Sequence, residues 1–429
     1  MWSCSGRIRR WLVAPVLFGA LIAVMASPAS ASPRGDDGLF HAHHWSSWRN
    51  GPSNAGQVEV VATGLNQPKK ITIAPDGSLI VALSGDGVAP ASCTDGNEPS
   101  CIDTSGAVDR VTPWGQVSTL ISGLPSVSGG GPMPEATGPA EARYGNGGLQ
   151  VLFQNTNIDP TTGAENYGPT GSLLGDLARF HGNGSGQGSV EAAFGPFEAA
   201  NNPDHGAGSA VTVGEESAID SDPYSFVPYR GGWAVADAAA NDLLWVSPRG
   251  HISVLAVFPT IPETAAPGSL GPTQTTPVPF DAQPVPDSVA VGPDGALYVG
   301  ELGGFPFNVG SSDVYRVVPG HTPTVYASGF TAIGDLALDQ AGHLLVLEID
   351  QAGLNDPALA GGGLPTPGAI VRVAHNGTQS VIASTGLEFA TGMAVGCDGW
   401  AYVSNYGVLS ATGGPGGLSG EIVKVGLGH

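Results

Sequence analysis

Basic residues are scarce in this chain, and that scarcity removes one large class of functions. Fifteen Lys and Arg stand against 37 Asp and Glu, a formal charge of −22. Sequence-independent binding of nucleic acid needs clustered cations to meet phosphates, so a nucleic-acid partner is excluded. Charge of either sign is thin, at 12% of residues, but 41% of the chain is hydrophobic. That apolar content separates it from disordered chains of low complexity. Beyond residue 31 no stretch keeps a helical period and no transmembrane segment is expected. Catalytic signatures are missing too. There is no G-x-S-x-G elbow, no H-E-x-x-H, no phosphate-binding loop and no EF-hand pattern.

Cysteine is limited to four residues. Cys93 and Cys101 bracket the loop segment Thr94 to Ser100, a spacing that predicts a disulfide in an oxidising compartment. Cys397 is then expected as a lone thiol in a tight turn. An oxidising compartment agrees with the first 31 residues, which read as an export signal. Arg7, Arg9 and Arg10 are its positive segment, Trp11 to Met25 its apolar segment, and Ala29-Ser30-Ala31 its cleavage site. Cleavage removes three basic residues and no acidic ones. The mature chain is expected in the periplasm or the medium, with a formal charge of −25. Such an excess of acid keeps a protein soluble or draws cations to it. Residues 32 to 56 read as a flexible leader. Its His41, His43 and His44 are spaced either as a transition-metal binder or as part of an unstructured tail.

What the chain has in abundance is turn chemistry, with 66 Gly and 36 Pro. These residues punctuate an internal repeat. Ile71-Thr72-Ile73 leads through Gly77 to Leu79-Ile80-Val81, and Val289-Ala290-Val291 through Gly295 to Leu297-Tyr298-Val299. Leu336-Ala337-Leu338 leads through Gly342 to Leu344-Leu345-Val346, and Met393-Ala394-Val395 through Gly399 to Ala401-Tyr402-Val403. A looser copy runs from Phe226-Val227 through Gly231 to Ala234-Val235. Each is followed by a second hairpin, such as Val314-Tyr315-Arg316-Val317 turning at Gly320. Period-two alternation with Asp-Gly turns means β-hairpins, and two hairpins per repeat make one propeller blade. A degenerate copy with Leu149 to Phe153 and Leu177 to Phe180 as its second and third strands brings the count to six.

The expected fold is therefore all-β: a single propeller of six four-stranded blades over residues 57–429. The last repeat ends after its third strand, Glu421 to Val425, whereas Val58 to Val61 is a strand with no repeat of its own. The N-terminal strand is expected to complete the last blade and close the ring, which removes exposed sheet edges.

Loop lengths divide the two faces of such a ring. The turns joining first to second and third to fourth strands are short and share one face. Long insertions gather on the other: Ser84 to Gly106, Gln154 to Ser172, His181 to Ile219, Pro259 to Pro286, Gln351 to Gly368 and Tyr406 to Gly420. Long loops on a rigid scaffold are where recognition resides. Six residues after successive turn glycines come Leu83, Asp237, Glu301, Glu348 and Asn405. First strands begin, near the axis, with Lys70, Tyr224, Ser288, Asp335 and Gly392. A polar site at the channel mouth is expected from these positions. Asp237, Glu301 and Glu348 are its candidate metal ligands, and Tyr224, Asp335, Asn405 and Phe305 its candidate ligand-binding residues. Converging carboxylates and amides suit Ca²⁺, which takes six to eight oxygens and can polarise a lactone carbonyl. The same acids can instead cap backbone N–H groups of adjacent loops. Phe305-Pro306-Phe307 reads either as an apolar lid or as packing for its own loop. Asp220, Asp222 and the run Asn201 to His205 add further ligands or simply form turns.

Val285 to Leu302, followed by Gly304-Phe305-Pro306-Phe307, resembles the ScyD/ScyE family, as do Asn241 to Val246 and Leu345 to Glu348. These are exported, propeller-like proteins related to NHL-type repeats and associated with biosynthesis of the cyanobacterial sunscreen scytonemin. The resemblance covers residues 58 to 425 and implies an exported propeller, with no catalytic residues to carry over. Cys397 departs from the Pro favoured at its place in other repeats, and the second blade matches poorly. The leading functional expectation is a secreted, monomeric binding or scaffold module that meets a small molecule, a glycan or a protein on its long-loop face. The alternative is a Ca²⁺-dependent lactonase or esterase at the channel mouth. A quinone-dependent sugar dehydrogenase needs basic residues and a His at the channel, where only Lys70 is offered.

Overall fold

Turn chemistry and strand alternation assemble this chain blade by blade. The computed structural model describes residues 54–428 apart from 92, 94–100, 129–134, 146, 156–167, 182–187, 209–218, 272, 356–363 and 412–416. The export signal and the histidines of the leader lie outside the described residues.

The first strand in the chain, β1 (Val58–Leu65), belongs to the last blade. The first blade holds β2 (Pro68–Ile73), β3 (Leu79–Leu83), β4 (Ile102–Val111) and β5 (Val117–Ser128), edged by the short β6 (Ala136–Thr137). The second holds β7 (Pro139–Gly145), β8 (Gly148–Phe153), β9 (Asp176–Phe180) and β10 (Ser189–Ala193), and leads into helix α1 (Phe194–Asn201). The third holds β11 (Pro223–Tyr229), β12 (Gly232–Asp237), β13 (Asp242–Val246) and β14 (Ile252–Val257). A separate hairpin of β15 (Ile261–Ala265) and β16 (Val278–Ala282) intervenes. The fourth blade is β17 (Pro286–Val291), β18 (Leu297–Glu301), β19 (Ser312–Val317) and β20 (Thr324–Phe330). The fifth is β21 (Ile333–Leu338), β22 (Leu344–Glu348), β23 (Ala369–Val373) and β24 (Gln379–Ala383). The sixth is β25 (Gly392–Val395), β26 (Trp400–Asn405) and β27 (Gly420–Gly426), with β1 as its outer strand.

Two observations close these sheets into a six-bladed β-propeller. Inner strands β2, β7, β11, β17, β21 and β25 touch one another in that order, and β25 touches β2. Six clusters of the apolar core are each shared by two neighbouring blades. One of them joins Ile71, Leu79 and Val81 of the first blade to Ala62, Tyr402 and Ile422 of the last. β1 pairs antiparallel with β27 from Val58↔Val425 to Leu65↔Gly420, so the N-terminal strand closes the ring. The second blade is a complete four-stranded sheet.

The turns show why the repeat was readable. Gly77, Gly147, Gly231, Gly295, Gly342 and Gly399 all have φ between 77° and 93°, where a β-carbon is strained. Asp294 Oδ1 accepts from Ala296 N at 3.1 Å, and Asp339 Oδ1 accepts from Ala341 N and His343 N, each at 2.9 Å. The Arg of the third strand then reaches the same carboxylate. Arg110 meets Asp76, Arg316 lies 2.7 Å from Asp294, and Arg372 lies 3.1 Å from Asp339.

Three local expectations change. β10 (Ser189–Ala193), paired with β9, and α1 fall inside the expected His181–Ile219 insertion, so that span is not one continuous long loop. Helix α1 and the β15–β16 hairpin are additions to the repeat. The helix escapes periodicity because it is eight residues long and carries Gly195 and Pro196 in its first turn. Cys93 and Cys101 are bonded as expected, with Cα atoms 4.5 Å apart, but Cys397 is disulfide-bonded and not a free thiol. Among the described residues no helix is long and apolar enough to cross a membrane.

Candidate functional site

The inner strands begin on the long-loop face, and five of the six begin irregularly. The pairing register slips at Pro68/Ile71, Pro139/Glu141, Pro223/Ser225, Pro286/Ser288 and Ile333/Asp335. Four of these starts carry Pro, which donates no ladder bond and is tolerated at a strand's first residue. A bulge re-aims side chains, so residues next to the expected ones also reach the axis.

Lys70 crosses that axis. It is 1% exposed, and its Nζ donates to the Gly334 carbonyl of the fifth blade. The same Nζ lies 3.3 Å from Asp335 Oδ1 and 5.1 Å from the centre of the Tyr224 ring. Room for this reach comes from Gly392, where a β-carbon would stand 2.7 Å from Lys70 Cα. Asp335 is held in turn by Leu336 N (2.9 Å) and by Met393 N of the sixth blade (2.7 Å). Similar bonds tie other neighbouring blades around the axis. Thr72 Oγ1 donates to Ala142 O at 2.6 Å, Ser225 Oγ to Glu141 Oε2 at 3.0 Å, and Thr391 Oγ1 to Pro68 O at 2.7 Å.

The fourth blade differs. Asp287 and Ser288 are 4% and 0% exposed; Asp287 is bonded to the Ser288 side chain and to its own backbone, and its Oδ1 has no hydrogen-bond partner. Burial drives the Asp287 carboxyl up to about 7, with Lys70 pulling it down and Asp335 adding to the rise. Burial and the surrounding carboxylates hold the Tyr224 phenol well above its usual range, so it remains a donor. Lys69 lies beside this group, 2% exposed and 3.7 Å from Glu135 Oε1, its ammonium pulled down by burial. Asp222, half-buried, accepts from Asn155 N at 2.8 Å and is pushed up by burial. Two ammonium groups, several carboxyls and one phenol thus gather from the first, third, fourth and fifth blades, with the exposed Glu135 at the rim. Chemically this is a set of paired donors and acceptors beside an aromatic ring.

Of the expected residues, the structure brings Tyr224 and Asp335 into this cluster. Asp237 adjoins it through Asp222 N, and the other four stand apart. Asp237 accepts from Ser221 Oγ (2.6 Å), Asp222 N (2.7 Å) and Ala240 N (3.3 Å), closing its own blade's loops. Glu348 accepts from Thr331 N at 2.8 Å, and Asn405 accepts from Glu388 N at 2.7 Å while donating to Glu421 Oε1 at 2.9 Å. Glu301 bonds the backbone of Asp313 and keeps Oε1 buried without a partner. The three acids expected as metal ligands therefore serve three separate blades. Among the described residues no three His, Cys, Asp or Glu are placed to hold a metal ion. Phe305 packs edge-on against Phe280 at 5.3 Å, inside a small cluster with Ala265 and Ala282. That contact packs the Phe305 loop against the β15–β16 hairpin. Asp287 and Lys69 were missed because the expected alignment allowed one axial residue per strand, whereas Asp222 had been named as a possible further ligand or turn former. The repeated Pro at strand starts was the available signal.

Several buried acids share a direction of shift. Burial raises Glu198 to about 8 and Asp237 and Asp287 to about 7. Each releases its proton more readily in the unfolded chain, near pH 4, so the folded state binds more protons between pH 4 and about 8. Stability is therefore fullest at acidic pH within this window and declines as pH rises. Urea unfolding of the chain at pH 5, 6.5 and 8 should show midpoints falling in that order; a rising series would contradict these assignments.

No family model matches the chain, and no curated protein matches it. Among solved structures it is similar to a glucose dehydrogenase at 12% identity, covering 86% of this chain and 99% of that one with a TM-score of 0.47. It is likewise similar to a streptogramin B lyase at 11%, covering 86% and 96%, TM-score 0.44. A third is a calcium-binding protein, regucalcin, from Agrobacterium tumefaciens str. C58, at 12%, covering 85% and 91%, TM-score 0.42. At these values the likenesses carry nothing about chemistry, and the ring stands on its own strand pairing.

Proposed function

We propose that this chain is an exported binding propeller that takes a small, hydroxyl-rich molecule at its axial mouth, from the side of the long loops. The observation that carries the reading is the unspent hydrogen-bonding capacity of Asp287 Oδ1, buried beside Ser288. Most polar groups around them tie one blade to the next, whereas these two do not. Buried polar groups left unpaired are costly, and a ligand that satisfies them regains that cost. The half-buried Tyr224 supplies a flat ring beside them, and its phenol donates. A polyol or saccharide matches this mix of donors, acceptors and aromatic face. Export is supported by the signal-like N-terminus and by the resemblance to ScyD/ScyE proteins. A metal-dependent hydrolase would need Asp237, Glu301 and Glu348 on one ion, and each is engaged on its own blade.

The test is a ligand-detected NMR screen of monosaccharides, disaccharides and polyols against the mature chain. A hit is expected whose affinity drops roughly 10- to 100-fold in Asp287→Ala and in Tyr224→Ala, the loss of one or two good hydrogen bonds. Trp114→Ala, an 80% exposed side chain in a turn on the opposite face, should leave it unchanged. A screen without hits, or a hit indifferent to both axial substitutions, would overturn the proposal.

A further inference from the structure

On the short-turn face of the fifth blade, two histidines face each other. His343 ends the turn from β21 to β22, and His375 lies in the turn from β23 to β24. Their ring centres are 4.8 Å apart, with planes inclined at 44°. His343 is half-buried and His375 exposed, so solvent reaches the pair.

The partners of these rings decide their tautomers. His343 Nδ1 lies 3.0 Å from Asp339 Oδ2, and His375 Nε2 lies 3.2 Å from the Ala341 carbonyl oxygen. A carboxylate and a carbonyl only accept, so each of those ring nitrogens carries the proton in the neutral imidazole. The remaining nitrogens, Nε2 of His343 and Nδ1 of His375, keep free lone pairs. Asp339 is itself fixed by Ala341 N, His343 N and the Arg372 guanidinium. A histidine whose far nitrogen is held by a fixed carboxylate or carbonyl is the arrangement that orients metal-ligating imidazoles. Gly342 turns the chain just before His343 on a backbone with φ of +81°, a conformation that side chains with a β-carbon rarely adopt.

The geometry points to a two-histidine site, His343 and His375, for a borderline divalent transition metal such as Cu²⁺, Ni²⁺ or Zn²⁺. Imidazole suits these ions, whereas Ca²⁺ and Mg²⁺ prefer oxygen. No third His, Cys, Asp or Glu completes the set among the described residues, so water or an added ligand fills the remaining positions. Asp339 is a positioning residue, and its charge offsets the nearby Arg372 against the arriving dication. The site stands on a different face from the axial mouth and does not depend on it.

The probe is Cu²⁺ alone, added to the full-length chain with His41, His43 and His44 replaced by Ala so that the leader contributes nothing. Titration should reach one ion per chain, with an electron paramagnetic resonance spectrum showing two coordinated nitrogens. His343→Ala and His375→Ala should each weaken binding at least 100-fold and leave the thermal midpoint unchanged. Asp339→Asn should weaken it about 10-fold while keeping the two-nitrogen signature. Unchanged binding in the His343→Ala/His375→Ala double variant, or a spectrum without two nitrogens, would overturn the assignment.

Discussion

Asp335→Ala is expected to remove about 3–5 kcal/mol of folding stability, the range for breaking a buried ion pair from one side. The substitution leaves the Lys70 ammonium, 1% exposed, with the Gly334 carbonyl as its bonded acceptor. It also strips the acceptor from Leu336 N and from Met393 N, and so loosens the fifth blade from the sixth. Removing both charges at once is a different matter. Lys70→Met keeps the length of the side chain, and Asp335→Asn keeps an oxygen for one of the backbone donors. The double variant Lys70→Met/Asp335→Asn should lose far less than the single Asp335→Ala, because no uncompensated charge remains buried. Urea unfolding at pH 6 compares the three proteins directly. Equal losses in the single and double variants would mean that the pair is not coupled as described.

A chain that starts at Asn66, and so lacks β1, should not form the closed monomer. It loses the β1–β27 ladder from Val58↔Val425 to Leu65↔Gly420, and it leaves β27 as an open edge beside an uncovered core. Ala62 and Leu65, 6% and 3% exposed, are removed from the seam between the last blade and the first. An unpaired edge next to apolar surface recruits other chains. The truncated protein should therefore elute as oligomers or aggregate, and a peptide spanning residues 54–65 added in trans should restore the monomer. A monomeric truncation with an unaltered unfolding midpoint would contradict closure by the N-terminal strand.

The ring was legible because its determinants are local and repeat. Each hairpin needs a glycine at positive φ, and the turn aspartates Asp76, Asp294, Asp339 and Asp398 bind the amide two residues on. In the first, fourth and fifth blades a third-strand arginine returns to that carboxylate. Those contacts lie within one blade, so sequence spacing is a fair guide to them. Even the degenerate second blade kept Gly147 at φ 93°. The axial site is different in kind, since Lys70, Tyr224, Asp287 and Asp335 come from four blades and only the closed ring brings them together. Lys70 and Tyr224 were placed near the axis by aligning strand starts. The bulges added a residue that no alignment of regular strands allows for, and Asp287 was lost in that slip. Asp237, Glu348 and Asn405 misled for a physical reason. An oxygen at the end of the second strand lies beside the backbone N–H groups of the loop that opens its own blade, so it caps that loop before it can reach the axis.

Hydrogen–deuterium exchange of the mature chain, with and without a saturating concentration of the tightest hydroxyl-rich ligand from the screen, tests the central claim most directly. Binding at the axial mouth predicts added protection at the starts of β2, β11, β17 and β21, within residues 68–71, 223–226, 286–289 and 333–336. Protection confined to the short turns of the opposite face, with those four segments unchanged, would contradict it.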